Sequence, residues 1–442
     1  MHRLLLASTA ALALTAAAVP AHARQPAPPA PAADLTAAQR AAALSEIRAK
    51  VQTLYVFPEK RAAIVDRLKK SEKAGRYDLA NPAAFAEALS KDLTEASGDK
   101  HMYLDFSPAQ YAAQAGDGAE AQASAEAFWR AEALQKNHGL AEMKILPGNV
   151  RYLKITGFYW VNDVTGQAYD DAMRFLKGGD AVIIDLRGNG GGSGQAVNYL
   201  TSHFTKSDDL LLTFTRAQET PSQSRSQGFL PAGRLIGKPL YVLTDGGCFS
   251  ACEEFVYHVQ QFKLGELIGD GTGGGANNND LIPIAPSFMV SISAGRPIHP
   301  VSGTNWEGVG IKPDTPAAPA KTLDVALQHA LTKLVAAPNA APADREVAAW
   351  ALAEVDARLN PPTVSPQHLQ SLAGRYGEAL LTFRDGQLWY TRANRPERRL
   401  LPLDGKDTFT AEGGANMLRV HIKGDTLELQ LPNTPPLVFK RG

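Results

Sequence analysis

A serine stands on a glycine-rich turn between an apolar run and an amphipathic helical stretch. The sequence reads "PLYVLTDGGCFSACEEF", with Ser250 after the pair Gly246-Gly247. Two interpretations are open. Ser250 and Glu253 match the S-x-x-E capping box, in which the two side chains satisfy free N–H groups at a helix start. A serine at a helix N-terminus can also be a nucleophile, because backbone N–H groups and the helix dipole stabilise a developing oxyanion there.

A second glycine-rich turn could supply N–H donors for that chemistry. The run from Asp185 to Gly192, "DLRGNGGG", follows the strand-like "AVIID" and precedes the helical "SGQAVNYLTSHF". Glycines let the backbone approach a ligand and direct N–H groups at an anion, so a phosphate site, an oxyanion hole and a plain tight turn are all open. The run lacks the lysine and hydroxyl of a P-loop and the later acidic residue of a dinucleotide site, so it matches neither motif.

A general base has to be sought among ten histidines. His101, in "SGDKHMYLDF", stands where a helical stretch gives way to a strand-like run. Such boundaries are favoured places for functional residues, although an exposed histidine is equally ordinary there. His258 follows Ser250 by two helical turns, beside the apolar stripe of that helix, which favours a structural role.

The only two cysteines, Cys248 and Cys252, flank the serine. A disulfide across this spacing has demanding geometry, so the sequence predicts small buried thiols. The Cys and His spacings of zinc sites are absent, and we therefore predict no metal and no cofactor.

The N-terminal part of the sequence predicts an export signal, followed by the first elements of the folded protein. Residues 1–23 carry one arginine, an apolar run and a small-x-small site, and this pattern predicts a signal peptide and a periplasmic or secreted protein. No later segment is apolar enough to span a bilayer. A Pro/Ala linker is predicted at 24–34, and a helical N-terminal domain with a connector at 35–142.

The pattern then changes to that of an α/β domain. Between 143 and 335, short apolar runs such as "AVIID" alternate with helical segments and glycine turns, as expected for strands buried between helical layers. Residues 336–362 read as a linker and helix. Residues 363–442 alternate apolar and polar positions around Asp-Gly and Gly-Asp turns, which predicts a small antiparallel β domain or barrel. The 45 basic and 45 acidic residues balance, so nothing indicates a nucleic-acid partner or an anionic membrane surface.

Several of these motifs together resemble a known family. "DLRGNGGG", the run from "VLTDGGCFSACEEF" to "GDGTGGGANN", and "PVSGTNWEGVGIKPD" are similar to the tail-specific, or C-terminal processing, serine peptidases. Within them the chain resembles the branch of the interphotoreceptor retinoid-binding protein modules and the tricorn core. The resemblance covers about residues 35–335 and implies a catalytic domain of the crotonase/ClpP-like β-α spiral kind.

The resemblance also implies roles for individual residues. Ser250 takes the position of the nucleophile, His101 that of the general base, and Glu307 of "NWEGVG" that of the supporting carboxylate. A serine activated by an imidazole whose orientation is fixed by a further group is a recurrent arrangement in acyl transfer.

The oxyanion hole is implied in the same way. One N–H donor falls on Ala251 and the other on Gly191 or its neighbour Gly192. Donors of this kind act by stabilising the charge that develops on the substrate carbonyl oxygen.

The chain departs from the better-known members in two respects. Their catalytic lysine would stand at Gly275, and the roughly 40 residues between Asp105 and Leu146 leave no room for a PDZ module. We therefore expect His101 to act as the base, with its neighbour Lys100 as the alternative.

These expectations combine into an exported serine peptidase that cleaves peptide or protein substrates through an acyl-enzyme on Ser250. Two alternatives remain, because fold does not determine function. One is a module that binds a lipophilic ligand, and the other is an esterase that uses the same site. The sequence gives no expectation for the oligomeric state.

Overall fold

The computed structural model describes residues 33–162, 164–216, 219–413 and 417–442. The predicted signal peptide and most of the predicted linker lie outside the described residues. Across the described ranges, no helix has the combination of length and apolar character that a membrane span requires.

The helices and strands are numbered in chain order. In the described ranges the α-helices are α1 (Ala37–Leu54), α2 (Pro58–Lys73), α3 (Pro82–Ser97), α4 (Pro108–Gln114), α5 (Gly118–Gln135), α6 (Thr165–Lys177), α7 (Gly194–Ser202), α8 (Ala251–Gln261), α9 (Thr322–Val335), α10 (Pro342–Leu359) and α11 (Pro366–Leu372). The strands are β1 (Tyr103–Phe106), β2 (Leu140–Leu146), β3 (Val150–Ile155), β4 (Ala181–Asp185), β5 (Leu210–Arg216), β6 (Ser222–Arg225), β7 (Leu240–Thr244), β8 (Glu266–Gly269), β9 (Asn278–Ile284), β10 (Phe288–Ile298), β11 (Thr315–Pro316), β12 (Gly374–Tyr376), β13 (Ala379–Arg384), β14 (Gln387–Arg392), β15 (Arg398–Pro402), β16 (Thr408–Ala411), β17 (Arg419–Lys423), β18 (Thr426–Gln430) and β19 (Leu437–Lys440).

The N-terminal helices α1 to α3 pack against the sheet that contains β1, β9 and β10. Asn81 caps α3 by accepting a hydrogen bond from the Ala84 N–H at 3.0 Å, and Pro82 occupies the first turn. The helix ends at Gly98, whose left-handed backbone turns the chain towards β1. Strand β1 then pairs antiparallel with β10, so the helical region contributes a strand to a sheet formed mainly by later residues.

The central sheet has the order β11-β8-β7-β4-β3-β2 and is parallel except for its edge strand β2. Every residue of β4 and β7 is buried, because helices α6 to α8 cover one face and α9 and α10 cover the other. Since β4 and β7 are parallel neighbours, the turns that follow them lie side by side at the carboxyl edge of the sheet. Both predicted glycine-rich turns are at this edge.

The other sheets complete the mixed α/β architecture. The second sheet has the order β1-β10-β5-β6, with β9 also paired to β10. Strands β12 to β19 form an antiparallel meander in sequence order, and a bridge between Tyr376 and Arg441 joins its first and last segments. The predicted fold class, with a helical N-terminal region and a C-terminal β domain, is confirmed.

Candidate active site

The turn between β7 and α8 holds Ser250 in an unusual backbone conformation. Its φ is 58° and its ψ is −122°, a positive φ that residues other than glycine rarely adopt. The Ser250 N–H donates to Glu253 Oε2 at 3.0 Å, as in a capping box. Strained conformations persist where the surrounding structure fixes them, often at functional sites. The serine therefore stands on a sharp turn at the N-terminus of α8.

The two flanking cysteines form a disulfide, so the prediction of free thiols is wrong. Cys248 and Cys252 are bonded, their Cα atoms are 5.4 Å apart, and both residues are buried. This Cα separation lies within the range that a disulfide needs. The bond closes a five-residue loop with Ser250 at its centre.

Glu253 fastens this turn to the loop after β8. Its Oε2 also accepts from the Gly275 N–H at 2.8 Å, and its Oε1 accepts from the Gly274 N–H and the Thr272 hydroxyl, each at 2.6 Å. Burial raises the pKa of this carboxyl, and the hydrogen bonds from Thr272 and the glycine N–H groups oppose that shift. The S-x-x-E pattern signalled only a helix cap, so sequence reasoning missed the connection to this loop.

The turn after β4 lies directly against Ser250. A Cβ atom placed on Gly191 would be 2.8 Å from Ser250 Cβ and 3.0 Å from the Ala251 nitrogen. The Gly191 N–H donates to Asn189 Oδ1 at 2.8 Å, whereas the Gly192 and Ala251 N–H groups have no protein acceptor among the described residues. The structure thus brings all the predicted oxyanion residues together, and the free N–H groups favour Gly192 over Gly191 as the second donor.

His101 reaches this site from the turn before β1. Its ring is 4 % exposed and packs against Phe249, with the ring centroids 4.7 Å apart. Neither ring nitrogen has a hydrogen-bond partner within the described ranges, so the imidazole is not hydrogen-bonded to Ser250 in this structure. Burial lowers the pKa of His101, and the Asp99 carboxylate opposes that shift. The neutral form, which a base requires, is favoured.

Two carboxylates lie beside the imidazole. Ligand atoms of Asp99, His101 and Glu307 all lie within 4.8 Å of one another. Glu307 Oε2 accepts the N–H groups of Ala276 and Asn277 at 2.6 and 2.9 Å, while its buried Oε1 has no partner among the described residues. Burial raises the pKa of Glu307, and the charge of Asp99 adds to that effect. The resemblance indicated Glu307 but gave no signal for Asp99. The three side chains are also of the types that can ligate a metal ion.

Lys100, the alternative base, and His258 differ from His101 in their exposure and contacts. Lys100 is exposed, and its Nζ donates to the Gly273 carbonyl at 2.5 Å. His258 is completely buried, and burial lowers its pKa to about 3, so the ring is neutral in the core. The structural interpretation of His258 agrees with this position.

The comparisons with known proteins concern this part of the chain. Residues 149–317 match the model of peptidase family S41. Over this segment the chain is similar to the S41 peptidases. The carboxy-terminal processing protease CtpB of Bacillus subtilis (strain 168) is 25 % identical over 176 residues, which are 39 % of this chain and 35 % of that protein. The carboxy-terminal-processing protease of Bartonella bacilliformis is 29 % identical over 140 residues, 31 % of this chain and 30 % of that one. The matches thus span about a third of these relatives. The resemblance to processing peptidases is confirmed.

The solved structures that align with this chain share little sequence with it. A lipoprotein from Streptococcus agalactiae aligns with a TM-score of 0.46 and 15 % identity over 68 % of this chain and 98 % of its own. The photosystem II D1 C-terminal processing protease aligns with a TM-score of 0.41 and 15 % identity over 64 % and 94 %.

A cavity of about 830 Å³ adjoins Ser250. Ser250, Ala251 and Gly192 line it together with the side chains of Trp160 and Trp306. Its volume is in the range of ligand-binding clefts. A substrate segment in this cavity would lie against both the serine and the free N–H groups.

Proposed function

We propose that the protein is an exported serine peptidase that hydrolyses peptide bonds through an acyl-enzyme on Ser250, with His101 as the general base. One observation carries the proposal. Three separate segments meet at the turn after β7, which carries Phe249 and Ser250. The turn after β4 lies against Ser250, and the turn before β1 places His101 against Phe249. Export rests on the signal-peptide pattern of residues 1–23.

The chemistry follows from the groups at this meeting point. His101 accepts the hydroxyl proton as Ser250 Oγ attacks the substrate carbonyl carbon. The oxyanion receives hydrogen bonds from the N–H groups of Ala251 and Gly192. Collapse of the tetrahedral intermediate breaks the C–N bond, and the imidazolium returns its proton to the leaving amine. Water then attacks the ester in the same way and releases the acid.

Substrate binding has to complete this arrangement. The His101 nitrogens have no partner in the free protein, so the hydrogen bond from serine to histidine must form when the substrate is in place. Catalytic hydrogen bonds often tighten only in the complex. Glu307 then has a buried oxygen available for the imidazolium.

The surroundings of Gly275 support a histidine rather than a lysine base. A Cβ at this position would lie 2.3 Å from the Phe249 ring and 3.0 Å from His101 Cε1, so the imidazole and phenyl rings fill the space in which a lysine would start. The ammonium of Lys100 is held by a carbonyl and is exposed. A lysine base needs the opposite, a desolvated ammonium.

The proposed substrates are proteins or peptides that are cut near their C-terminus, by similarity to the named processing proteases. Mature protein would be treated with a fluorophosphonate probe and, separately, with a peptide library whose products are identified by mass spectrometry. We expect labelling of Ser250 and hydrolysis of peptides. Absence of labelling would favour the binding module, and turnover of esters without peptides would favour the esterase.

A further inference from the structure

A second acidic side chain of α8 lies in the same cavity as the nucleophile. Glu254 follows Ser250 by four residues, one helical turn, and lines the 830 Å³ cavity with it. Residues four apart lie on the same face of a helix. The Glu254 carboxylate lies against Gly194, where an added Cβ would be 3.5 Å from Oε2.

Among the described residues, no charged basic group pairs with the Glu254 carboxyl. Its side chain is only 12 % exposed, and the nearest basic group is His258, whose Nε2 is 3.8 Å from Oε1. That ring is neutral, because burial lowers its pKa to about 3. Among the described residues no hydrogen bond reaches the Glu254 carboxylate. Burial raises the pKa of Glu254 to about 8, so ionisation would be favoured by a cation brought into the cavity.

The other charged groups of the cavity are already paired. The guanidinium of Arg216 donates two hydrogen bonds to Asp280, at 3.0 and 3.1 Å. Arg225 lies 3.4 Å from the Asp208 carboxylate and donates to its carbonyl at 2.8 Å. Glu254 is therefore the acidic group of this cavity that is left for a ligand.

We propose that Glu254 selects a basic residue, lysine or arginine, at the substrate position whose carbonyl is attacked by Ser250. The inference rests on the proposed peptidase function and specifies its substrate. Four residues of helix separate the two positions by about 6 Å along the axis, a distance that a lysine or arginine side chain can span from its own carbonyl. Trp160, which is half-buried, lines the same cavity and offers aromatic surface to the methylene stem and the cation.

The experiment compares peptides that differ at one position. Matched acetylated peptide amides carry lysine, arginine, norleucine or glutamate there, and kcat/KM is measured for the wild-type protein, with the cleaved bond located by mass spectrometry. We expect lysine and arginine to exceed norleucine by about tenfold or more, as for a close charge pair with little solvent, with cleavage after the varied residue. Norleucine matches the length of lysine without its charge, so this ratio isolates the effect of the cation.

Variants then assign the preference to one carboxylate. In Glu254→Gln the ratio of lysine to norleucine should fall to about one, while Glu254→Asp should keep part of it. Glu46→Gln is the matched control, because Glu46 is exposed on α1 outside the cavity. A ratio near one in the wild type, a ratio that survives Glu254→Gln, or cleavage before the basic residue would overturn the proposal.

A binding measurement separates this inference from the peptidase assignment. The same peptides are titrated calorimetrically into Ser250→Ala protein, where no turnover occurs. Tighter binding of the lysine peptide, lost in Ser250→Ala/Glu254→Gln, supports the pocket even if the wild type fails to react with a fluorophosphonate. Equal binding of all four peptides, or no binding of any of them, overturns the proposed pocket even where the fluorophosphonate labels Ser250.

Discussion

A methyl group added at Gly191 should disable the nucleophile without unfolding the protein. Gly191 has a φ of 100°, and the added Cβ would lie 2.7 Å from the Phe249 carbonyl oxygen and 2.8 Å from Ser250 Cβ. The contacted atoms belong to the backbone and to Cβ, so no flexible side-chain end can move aside. The turn that carries Ser250 has to shift instead.

The size of the effect follows from these distances. Ordinary van der Waals contact starts at 3.4 Å, so the serine turn and the glycine turn must separate by about 0.6–0.7 Å. A misplacement of about 1 Å can cost a factor of about 100 in rate, and if the shift also moves the neighbouring Gly192 N–H out of reach, the loss of that oxyanion donor costs about 100–1,000. The positive φ adds about 1–2 kcal/mol to the free energy of the folded state. We expect kcat/KM of Gly191→Ala to fall about a hundredfold or more while the protein remains folded.

The adjacent glycine provides the control. Gly190 is exposed, does not have a positive φ, and has no atom within 4 Å of an added Cβ, so Gly190→Ala should keep near wild-type rates. Peptide hydrolysis and the rate of fluorophosphonate labelling are measured for both variants, and circular dichroism and thermal unfolding report on the fold. The reasoning is refuted by a folded Gly191→Ala with rates within about threefold of wild type, or by an equal loss in Gly190→Ala.

The remaining predictions test the nucleophile, the base and the disulfide. Ser250→Ala should abolish turnover and labelling while lowering the free energy of unfolding by no more than the roughly 0.5–2 kcal/mol of a helix cap; full hydrolysis by this variant contradicts the assignment. His101→Ala should be inactive and Lys100→Ala active, and the reverse result would make Lys100 the base. Because burial lowers the pKa of His101, and the base must be neutral, kcat/KM should rise with pH and reach half its maximum below the ordinary histidine value of about 6.5; a midpoint well above 7 contradicts this. Replacing Cys248 and Cys252 together by alanine should cost about 2 kcal/mol of unfolding free energy from loop closure and leave Ser250 reactive; loss of labelling in a folded double variant would show that the disulfide is needed to hold Ser250 in its reactive position.

Those parts of the fold that depend on local pattern could be predicted from the sequence. Short runs apolar on both faces gave β4 and β7, whose five residues each are buried. The pair Asn81-Pro82 marked the start of α3. Alternation around tight turns gave the C-terminal meander. In each case the element is indicated by residues close together in the sequence or by the regular spacing of its apolar residues.

The parts that depend on tertiary geometry could not be predicted in this way. Whether Cys248 and Cys252 can bond depends on how the folded turn directs their side chains, which the sequence spacing alone does not give. Likewise Glu253 reads as a cap, although most of its hydrogen bonds go to residues 272–275. These contacts join segments about 20 residues apart, and nothing in the local sequence marks them.

The proposed base belongs to a different part of the chain from the nucleophile. The segment that matches family S41, residues 149–317, contains Ser250, Glu307 and the glycine turn but not His101. His101 is carried by the turn between α3 and β1, and β1 is held by its pairing with β10, with Tyr103 opposite Ser291. The Ser291 hydroxyl also donates to the His101 carbonyl at 2.5 Å. The position of the imidazole therefore depends on the pairing of β1 with β10. Peptidase activity should then depend on that pairing as directly as on Ser250 itself.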